Sequence, residues 1–276
     1  MDTPPKPIDE VKFEVRGRVA IITINQPKKL GALTRESYFH LSQLMRHVDG
    51  RRDIYITMLT GTGRFFSAGA DVFAASSDNA PKEQEYSKWL ESFAAHNLNI
   101  TQAFYSHRKI LVSALNGPVV GIAAALIGHS DFVYAATHTY LLCPFTSLGL
   151  LPEGLSSRAL INRLGPARGM EALLMSKRIT CEELVGCGFV NKVFEAGRQG
   201  TRDFLESVLH EIDERLGAHL KPDALIKTKG LIRGPDKDLY DAQGAKEVFQ
   251  GLEMFMRGIP QEEFRKIASK EKVHKL

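Results

Sequence analysis

The first feature of this chain that could do chemistry is a single carboxylate in an apolar setting. Glu153 stands in Leu150-Leu151-Pro152-Glu153-Gly154-Leu155, with Leu148 just upstream. Walled by these leucines, its carboxyl group would lose hydration, its pKa would rise, and it would become a useful base near neutral pH. The ordinary reading is an acid in the first turn of a helix after Pro152, where negative charge is favoured. A second feature lies about thirty residues upstream. The apolar run 110–115 reads as a buried strand, Asn116-Gly117-Pro118 as a turn, and Gly121-Ile122-Ala123-Ala124-Ala125-Leu126 as a small-residue helix. Such a strand–Gly turn–helix segment leaves free N–H groups beyond the helix N-terminus.

Phe66-Ser67-Ala68-Gly69-Ala70-Asp71 is another segment of this kind, about fifty residues earlier. Taken alone, Gly69 to Asp71 could be a plain turn and helix cap, and Gly121-Ile122 could merely let a helix pack closely on a sheet. Together the Ala70 and Ile122 N–H groups could form an oxyanion hole, which commonly draws its donors from separate chain segments. Two such donors and one carboxylate base suit proton transfer next to a carbonyl. Asn97 is the odd polar member of the stripe Trp89, Phe93, Asn97, Ile100, Phe104. A buried amide must find a partner, either a backbone group or a catalytic carboxylate that it holds in place. Asp131, just before Phe132-Val133-Tyr134, reads as a structural turn acid.

The elements that must position these residues follow from periodicity. Residues 11–16 and 19–25 read as a hairpin turning at Gly17, and 27–33 as a loop. Thr34 caps a helix carrying Tyr38, Leu41, Leu44, Met45 and Val48 at helical spacing. A strand at 54–59 follows, then a loop at 76–82 and a helix at 83–106. Further strands are expected at 132–136, 140–143 and 188–193. Thr180-Cys181-Glu182-Glu183 has the capping-box pattern. Strand, helix, strand in this order implies a parallel α/β core. That core is expected to run to about residue 200, with 1–9 a loose tail and 201–276 a helical C-terminal region.

At 276 residues the chain is long enough to bury a substantial core, and its 43% hydrophobic and 25% charged content is ordinary for a globular protein. A net charge of +4 without like-charge blocks argues against nucleic acid and would suit a phosphate-bearing small ligand. Cys143, Cys181 and Cys187 form no C-x-x-C pair and leave an odd thiol, which favours a reducing compartment. The nine histidines include no cluster at ligand spacing, so no metal is expected. No apolar run approaches 18 residues and no secretory h-region is present, so no membrane span is expected. The tail His274-Lys275-Leu276 resembles a variant of the peroxisomal S-K-L address.

Three segments carry a family resemblance. Phe66 to Asp71 resembles the F-x-A-G-x-D segment of the crotonase (enoyl-CoA hydratase/isomerase) superfamily. Leu115-Asn116-Gly117-Pro118-Val119-Val120-Gly121-Ile122 resembles its N-G-x-x-x-G segment, and Ser130-Asp131-Phe132-Val133-Tyr134-Ala135 its C-D-x-x-x-A segment. With residues 27–33, these matches keep the family's order over most of 10–195. The resemblance implies an α/β fold: a spiral of ββα units with C-terminal trimerisation helices, giving a homotrimer or a dimer of trimers. It implies an acyl-CoA thioester substrate and no separate cofactor. The family's oxyanion donors fall on the N–H groups of Ala70 and Ile122. CoA contacts are expected at Lys29, Leu30, Ala32, Ser67, Ala68, Gly69, Ala70 and Asp71, mostly through backbone.

Departures from the family pattern narrow the expected reaction. The two carboxylates of family hydratases fall on Ala125 and Phe145, neither of which can move a proton, so hydration is not expected. Glu153 lies eight residues past Phe145, a position that resembles the catalytic glutamate of fungal peroxisomal Δ3,Δ2-enoyl-CoA isomerases. Asn97 resembles a polar residue that orients this glutamate. The implied activity is a Δ3,Δ2-enoyl-CoA isomerisation serving β-oxidation in the peroxisome, with an import receptor taking the C-terminal tripeptide. The alternatives are a dienoyl-CoA isomerase, or a silent acyl-CoA-binding scaffold on the same fold. The former usually works with more than one carboxylate, so Ala125 and Phe145 count against it.

Overall fold

The computed structural model describes residues 3–71, 85–195 and 201–272. The loop expected at 76–82, the first two residues of the helix expected from 83, and the tripeptide His274-Lys275-Leu276 lie outside them. Alternation of Val11, Phe13 and Val15 with charged residues gives β1 (Val11–Arg16), and a run rich in β-branched residues gives β2 (Val19–Ile24), an antiparallel hairpin turning at Gly17 with φ 58°. β2 then pairs in parallel with β3 (Ile56–Gly61), β3 with β4 (Ile110–Leu115), β4 with β6 (Phe132–Ala136), and β6 with β9 (Lys192–Phe194). Strand order across this sheet is β1-β2-β3-β4-β6-β9.

Alternate residues of the parallel strands enter two different cores. Ile21, Met58, Val112 and Tyr134 face one, while Ile22, Leu59, Leu111 and Val133 face the other. Burial on both faces explains why these strands read as unbroken apolar runs. Helix α1 (Arg35–Gly50) covers the second face with Tyr38, Leu41, Leu44 and Met45, and Thr34 caps it by accepting the Ser37 N–H at 3.2 Å. On the first face lies α7 (Thr201–Leu216), which buries Phe204, Val208, Ile212 and Leu216 at four-residue spacing. Each such side chain contributes about 1.5–3 kcal/mol.

A smaller sheet has the order β5-β7-β8, formed by β5 (Val119–Val120), β7 (Tyr140–Leu142) and β8 (Ile179–Thr180). The bridges Ser67↔Val119 and Leu33↔Ala70 carry the same extended pairing across earlier turns of the chain. Each turn therefore gives a strand to the large sheet, an extended piece to the small one, and then a helix. β4, β5 and α4 (Ile122–Ile127) make one such turn, and β6, β7 and α5 (Ser156–Leu174) the next. This is the spiral of ββα units that the resemblance implies.

The helix expected at 83–106 is not continuous. It is described as α2 (Glu85–Trp89), a π-helical turn at Leu90–Ala95, and α3 (His96–Tyr105). The wide turn falls where Trp89 and Phe93 both pack on Phe255, each with ring centroids 4.6 Å apart. The strand expected at 188–193 begins only at Lys192. Gly188 turns with φ 77°, and the Phe189 N–H goes back to the Leu184 carbonyl of α6 (Cys181–Gly186), whose capping box at Thr180 and Glu183 is present. Beyond α7 come α8 (Pro222–Arg233), α9 (Lys237–Met256) and α10 (Ile259–Ala268), with α9 packed on α3 and the π-helical turn.

Asp131 is the structural acid that its position suggests. Its Oδ2 accepts the Leu111 N–H at 2.8 Å and pairs with the largely buried Lys229 at 2.6 Å, while Oδ1 meets Arg233 at 3.3 Å. It thereby ties β4 and β6 to α8. Removing one partner of such a pair leaves a charge out of water with nothing to offset it. Asp131→Ala should lower stability to urea by about 3 kcal/mol; a loss below about 1 kcal/mol would mean that Lys229 simply reorients to solvent.

Candidate active site

Two glycine turns meet at the edge of the small sheet. Gly69 has φ 90°, and a Cβ there would lie 2.8 Å from the Val120 carbonyl oxygen. Gly121 has φ 63°, and a Cβ there would meet Gly69 Cα at 3.9 Å. A side chain at Gly69 would clash with Val120, and the left-handed backbone at both glycines favours residues without one, so the segments carrying Ala70 and Ile122 approach closely. Ile122 opens α4, so its N–H has no acceptor within the helix. In the bridge at Ala70, Leu33 N donates to Gly69 O at 3.0 Å and Asp71 N to Leu33 O at 2.8 Å. The Ala70 N–H, lying between those two peptide groups, is therefore turned away from Leu33.

Glu153 arrives at the same place through another close contact. Gly154 has φ 66°, and a Cβ on it would lie 2.8 Å from Ala125 Cβ and 3.8 Å from Ile122 Cγ1. The Glu153-Gly154 turn thus rests on the first turn of α4, and His129 Nε2 bonds the Gly154 carbonyl at 2.9 Å. Burial holds the His129 pKa down at about 4, so the ring is neutral and donates there. Helix α5 begins only at Ser156, after Leu155 in the left-handed region at φ 59°. Glu153 therefore stands in the turn before the helix, which corrects the ordinary reading of it as a first-turn acid.

The structure brings Asn97 and Glu153 together. Asn97 Nδ2 donates to Glu153 Oε2 at 2.7 Å, and Thr101 Oγ1 donates to Asn97 Oδ1 at 3.3 Å, which fixes the direction of the amide. Glu153 itself is partly buried. Desolvation, and after it the charge of Glu247, push its carboxyl group up to about 7, against the Asn97 bond, which favours the ionised form. The buried Tyr38 hydroxyl and Cys143 thiol are pushed up too, first by their own burial and then by Glu153.

Glu247 was not legible as a site residue. It lies on α9, is 6% exposed, and accepts the Leu155 N–H at 2.8 Å and the Ser157 N–H at 3.0 Å. A signal for it exists: Gly244, Glu247, Val248, Gly251, Leu252 and Phe255 form one helical stripe with an acid inside it.

With this geometry in hand, comparison with known proteins is informative. The family described as enoyl-CoA hydratase/isomerase matches residues 14–217. The chain belongs to the enoyl-CoA hydratase/isomerase family. A Delta(3,5)-Delta(2,4)-dienoyl-CoA isomerase from Pyricularia oryzae is 53% identical over 274 residues, which is 95% of this chain and 98% of that protein. A 3,2-trans-enoyl-CoA isomerase from Saccharomyces cerevisiae is 33% identical over 97% of each chain. Among solved structures, an enoyl-CoA hydratase/isomerase from Pseudoalteromonas atlantica T6c superposes with a TM-score of 0.82 at 26% identity, covering 97% of this chain and 100% of that one.

Within this enoyl-CoA hydratase/isomerase chain, the two positions expected to differ from the hydratases hold buried apolar side chains. Ala125 is fully buried against Gly154, and Phe145 is buried in the main core. The residues expected to meet CoA lie on two segments that are laced together. Ala68 N donates to Leu30 O at 2.8 Å, and Ser67 Oγ to Gly31 O at 2.7 Å. Lys29 Nζ pairs with Asp71 Oδ2 at 2.8 Å on the exposed side, and Ala32 lies between them in sequence and beside the Leu33↔Ala70 bridge. Ser67 has no exposed surface, so its side chain serves the loop rather than a ligand.

Gly154 is where this arrangement is most exposed to change. Gly154→Ala introduces a left-handed non-glycine residue and a methyl group 2.8 Å from Ala125. It should cost about 1–2 kcal/mol and move Glu153 off Asn97. A crystal structure of the variant with the 2.7 Å bond intact, together with unchanged thermal stability, would show that the close contact does not set the position of Glu153.

Proposed function

We propose that the chain is an enoyl-CoA isomerase that moves a 3-cis or 3-trans double bond of an acyl-CoA to the 2-trans position. The observation that carries this reading is one partly buried carboxylate, held by Asn97 at 2.7 Å in a turn that packs on the first turn of α4, where the Gly69 and Gly121 turns meet. The thioester oxygen of a 3-enoyl-CoA lies between the Ala70 and Ile122 N–H groups. Glu153 takes the proton from C2, and the charge that spreads over the dienolate is met by the two donors. An amide of this kind is worth about 10²–10³-fold in rate. The same carboxyl group, now neutral, gives its proton to C4. A pKa near the working pH suits both halves of the transfer, since the group must be a base and then an acid. Asn97 orients Glu153 through the carboxylate oxygen that it binds.

Lys29, Leu30, Ala32 and the 67–71 segment provide the CoA side of the site, chiefly through backbone. Neither a metal nor a separate cofactor enters the scheme. Assembly as a homotrimer, or a dimer of trimers, is supported by apolar surface on the C-terminal helices, where Leu231 is 80% and Ile232 67% exposed. Import into the peroxisome through His274-Lys275-Leu276 completes the reading.

The Pyricularia oryzae relative favours a second reading, isomerisation of 3,5-dienoyl-CoA to the 2,4-dienoyl form. The nearby Glu247 is tied into the start of α5, where its two oxygens accept the Leu155 and Ser157 N–H groups.

A spectrophotometric assay of 3-hexenoyl-CoA and a 3,5-dienoyl-CoA separates the two. The proposed function predicts faster turnover of the former; a faster dienoyl reaction favours the second reading, and no change in either ester supports a silent binding protein. Glu153→Gln should lose about 10²–10⁴-fold in kcat while still binding CoA esters, and retention of a tenth of the activity removes Glu153 from the role. Because the ionised form takes the first proton, wild-type kcat/KM should rise with pH through about 7 and then level off.

A further inference from the structure

Glu247 is a buried acid that the isomerisation scheme leaves without a task. No cation pairs with it among the described residues. Its two oxygens divide the work, Oε2 accepting from Leu155 N and Oε1 from Ser157 N. These are among the orphan donors at the start of α5. Leu155, the residue at the helix N-cap, has no side-chain acceptor to satisfy them. The cap is supplied instead by a helix about ninety residues further on.

The fit of α9 to this turn is close along its whole inner stripe. A Cβ on Gly244 would lie 3.7 Å from Leu155 Cγ, and one on Gly251 would lie 2.9 Å from the Phe93 ring. Asn97, Thr101, Tyr105, Leu155, Asp241 and Glu247 share a cavity of about 20 Å³, which has room for a single water. The partner that orients Glu153 and the acid that caps the turn behind it thus border one small space.

We propose that Glu247 is a positioning residue for Glu153: it fixes the 155–157 backbone that fixes the reacting carboxylate, and it places a negative charge beside that carboxylate. This rests on the assignment of Glu153 as the proton shuttle. The groups that face Glu247 are Glu153 from the turn before α5, Tyr105 from α3, and Asp241 nearly two turns away on α9, with neutral His129 behind Gly154. Tyr105 and Asp241 bond each other, so Glu153 is the group left to respond. Burial raises the pKa of both glutamates, and the charge of Glu247 further disfavours ionisation of Glu153. The C-terminal helical region is on this account a working part of the site.

The test compares Glu247→Gln, Glu247→Asp and Glu153→Gln with wild type on 3-hexenoyl-CoA from pH 5 to 9. Glu247→Gln removes the charge, so Glu153 ionises more easily and the acid-side midpoint of kcat/KM should move to lower pH. Its kcat should fall about tenfold to a hundredfold, as expected for a displaced reacting group, with KM nearly unchanged. Glu247→Asp keeps the charge and shortens the reach, so kcat should fall while the midpoint stays with the wild type. A midpoint unmoved in Glu247→Gln overturns the proposal, as does an Asp variant that shifts like Gln. If the Gln variant does not fold, the Asp variant decides, and full wild-type turnover in it overturns the proposal. An active Glu153→Gln would instead strike at the shuttle assignment, so the two failures are distinguishable.

Discussion

A carboxyl group kept partly out of water where two glycine turns meet the start of α4 is the constraint on which the rest of the structure depends. Each part of it is unfavourable alone. Desolvation works against the ionised Glu153, Glu247 adds like charge, and the Ile122 amide, at the first position of α4, has no acceptor within its helix. The surrounding spiral offsets these penalties with a sheet buried on both faces and with glycine contacts that admit no side chain. Both glutamates have folded-state pKa values raised to about 7. Their contribution to stability is therefore full below the unfolded carboxylate range and is lost as pH rises through about 7. Holding the site ready near neutral pH and maximising stability there are opposed.

Apolar packing occupies the two positions where the family resemblance would put the hydratase acids. Where family hydratases carry their acids, Ala125 is pressed under Gly154 and Phe145 fills core. A longer side chain at 125 would collide with the very turn that delivers Glu153. Asn97 takes part in the same economy of contacts, with one end held by Thr101 and the other holding Glu153.

Much of this was legible because local rules and tertiary packing agree. Thr34 and Thr180 cap the helices that their spacing announces, and the strands at 11–16, 110–115 and 132–136 follow from apolar runs. Asn97 stood out as a polar residue on an apolar stripe, and the two glycine turns as donors without acceptors. The misses share a cause in long-range contact. The π-helical turn at Leu90–Ala95 occurs where side chains pack on Phe255, far along the chain. Leu155 adopts a left-handed conformation under a cap from Glu247, so α5 starts later than Pro152 suggests. Glu247 broke its own stripe as plainly as Asn97 did, but its partners are backbone groups, which no side-chain pattern reveals.

The central claim is that one carboxylate carries the same hydrogen from C2 to C4 of the acyl chain. It is tested most directly with 3-hexenoyl-CoA deuterated at C2, turned over in ordinary water, by following the label in the 2-enoyl product. Transfer on Glu153 in a site shielded from solvent predicts deuterium at C4 in a substantial fraction of product molecules from the first turnovers. Product with no deuterium at C4, at every stage of the reaction and at every pH, would contradict the single-residue shuttle.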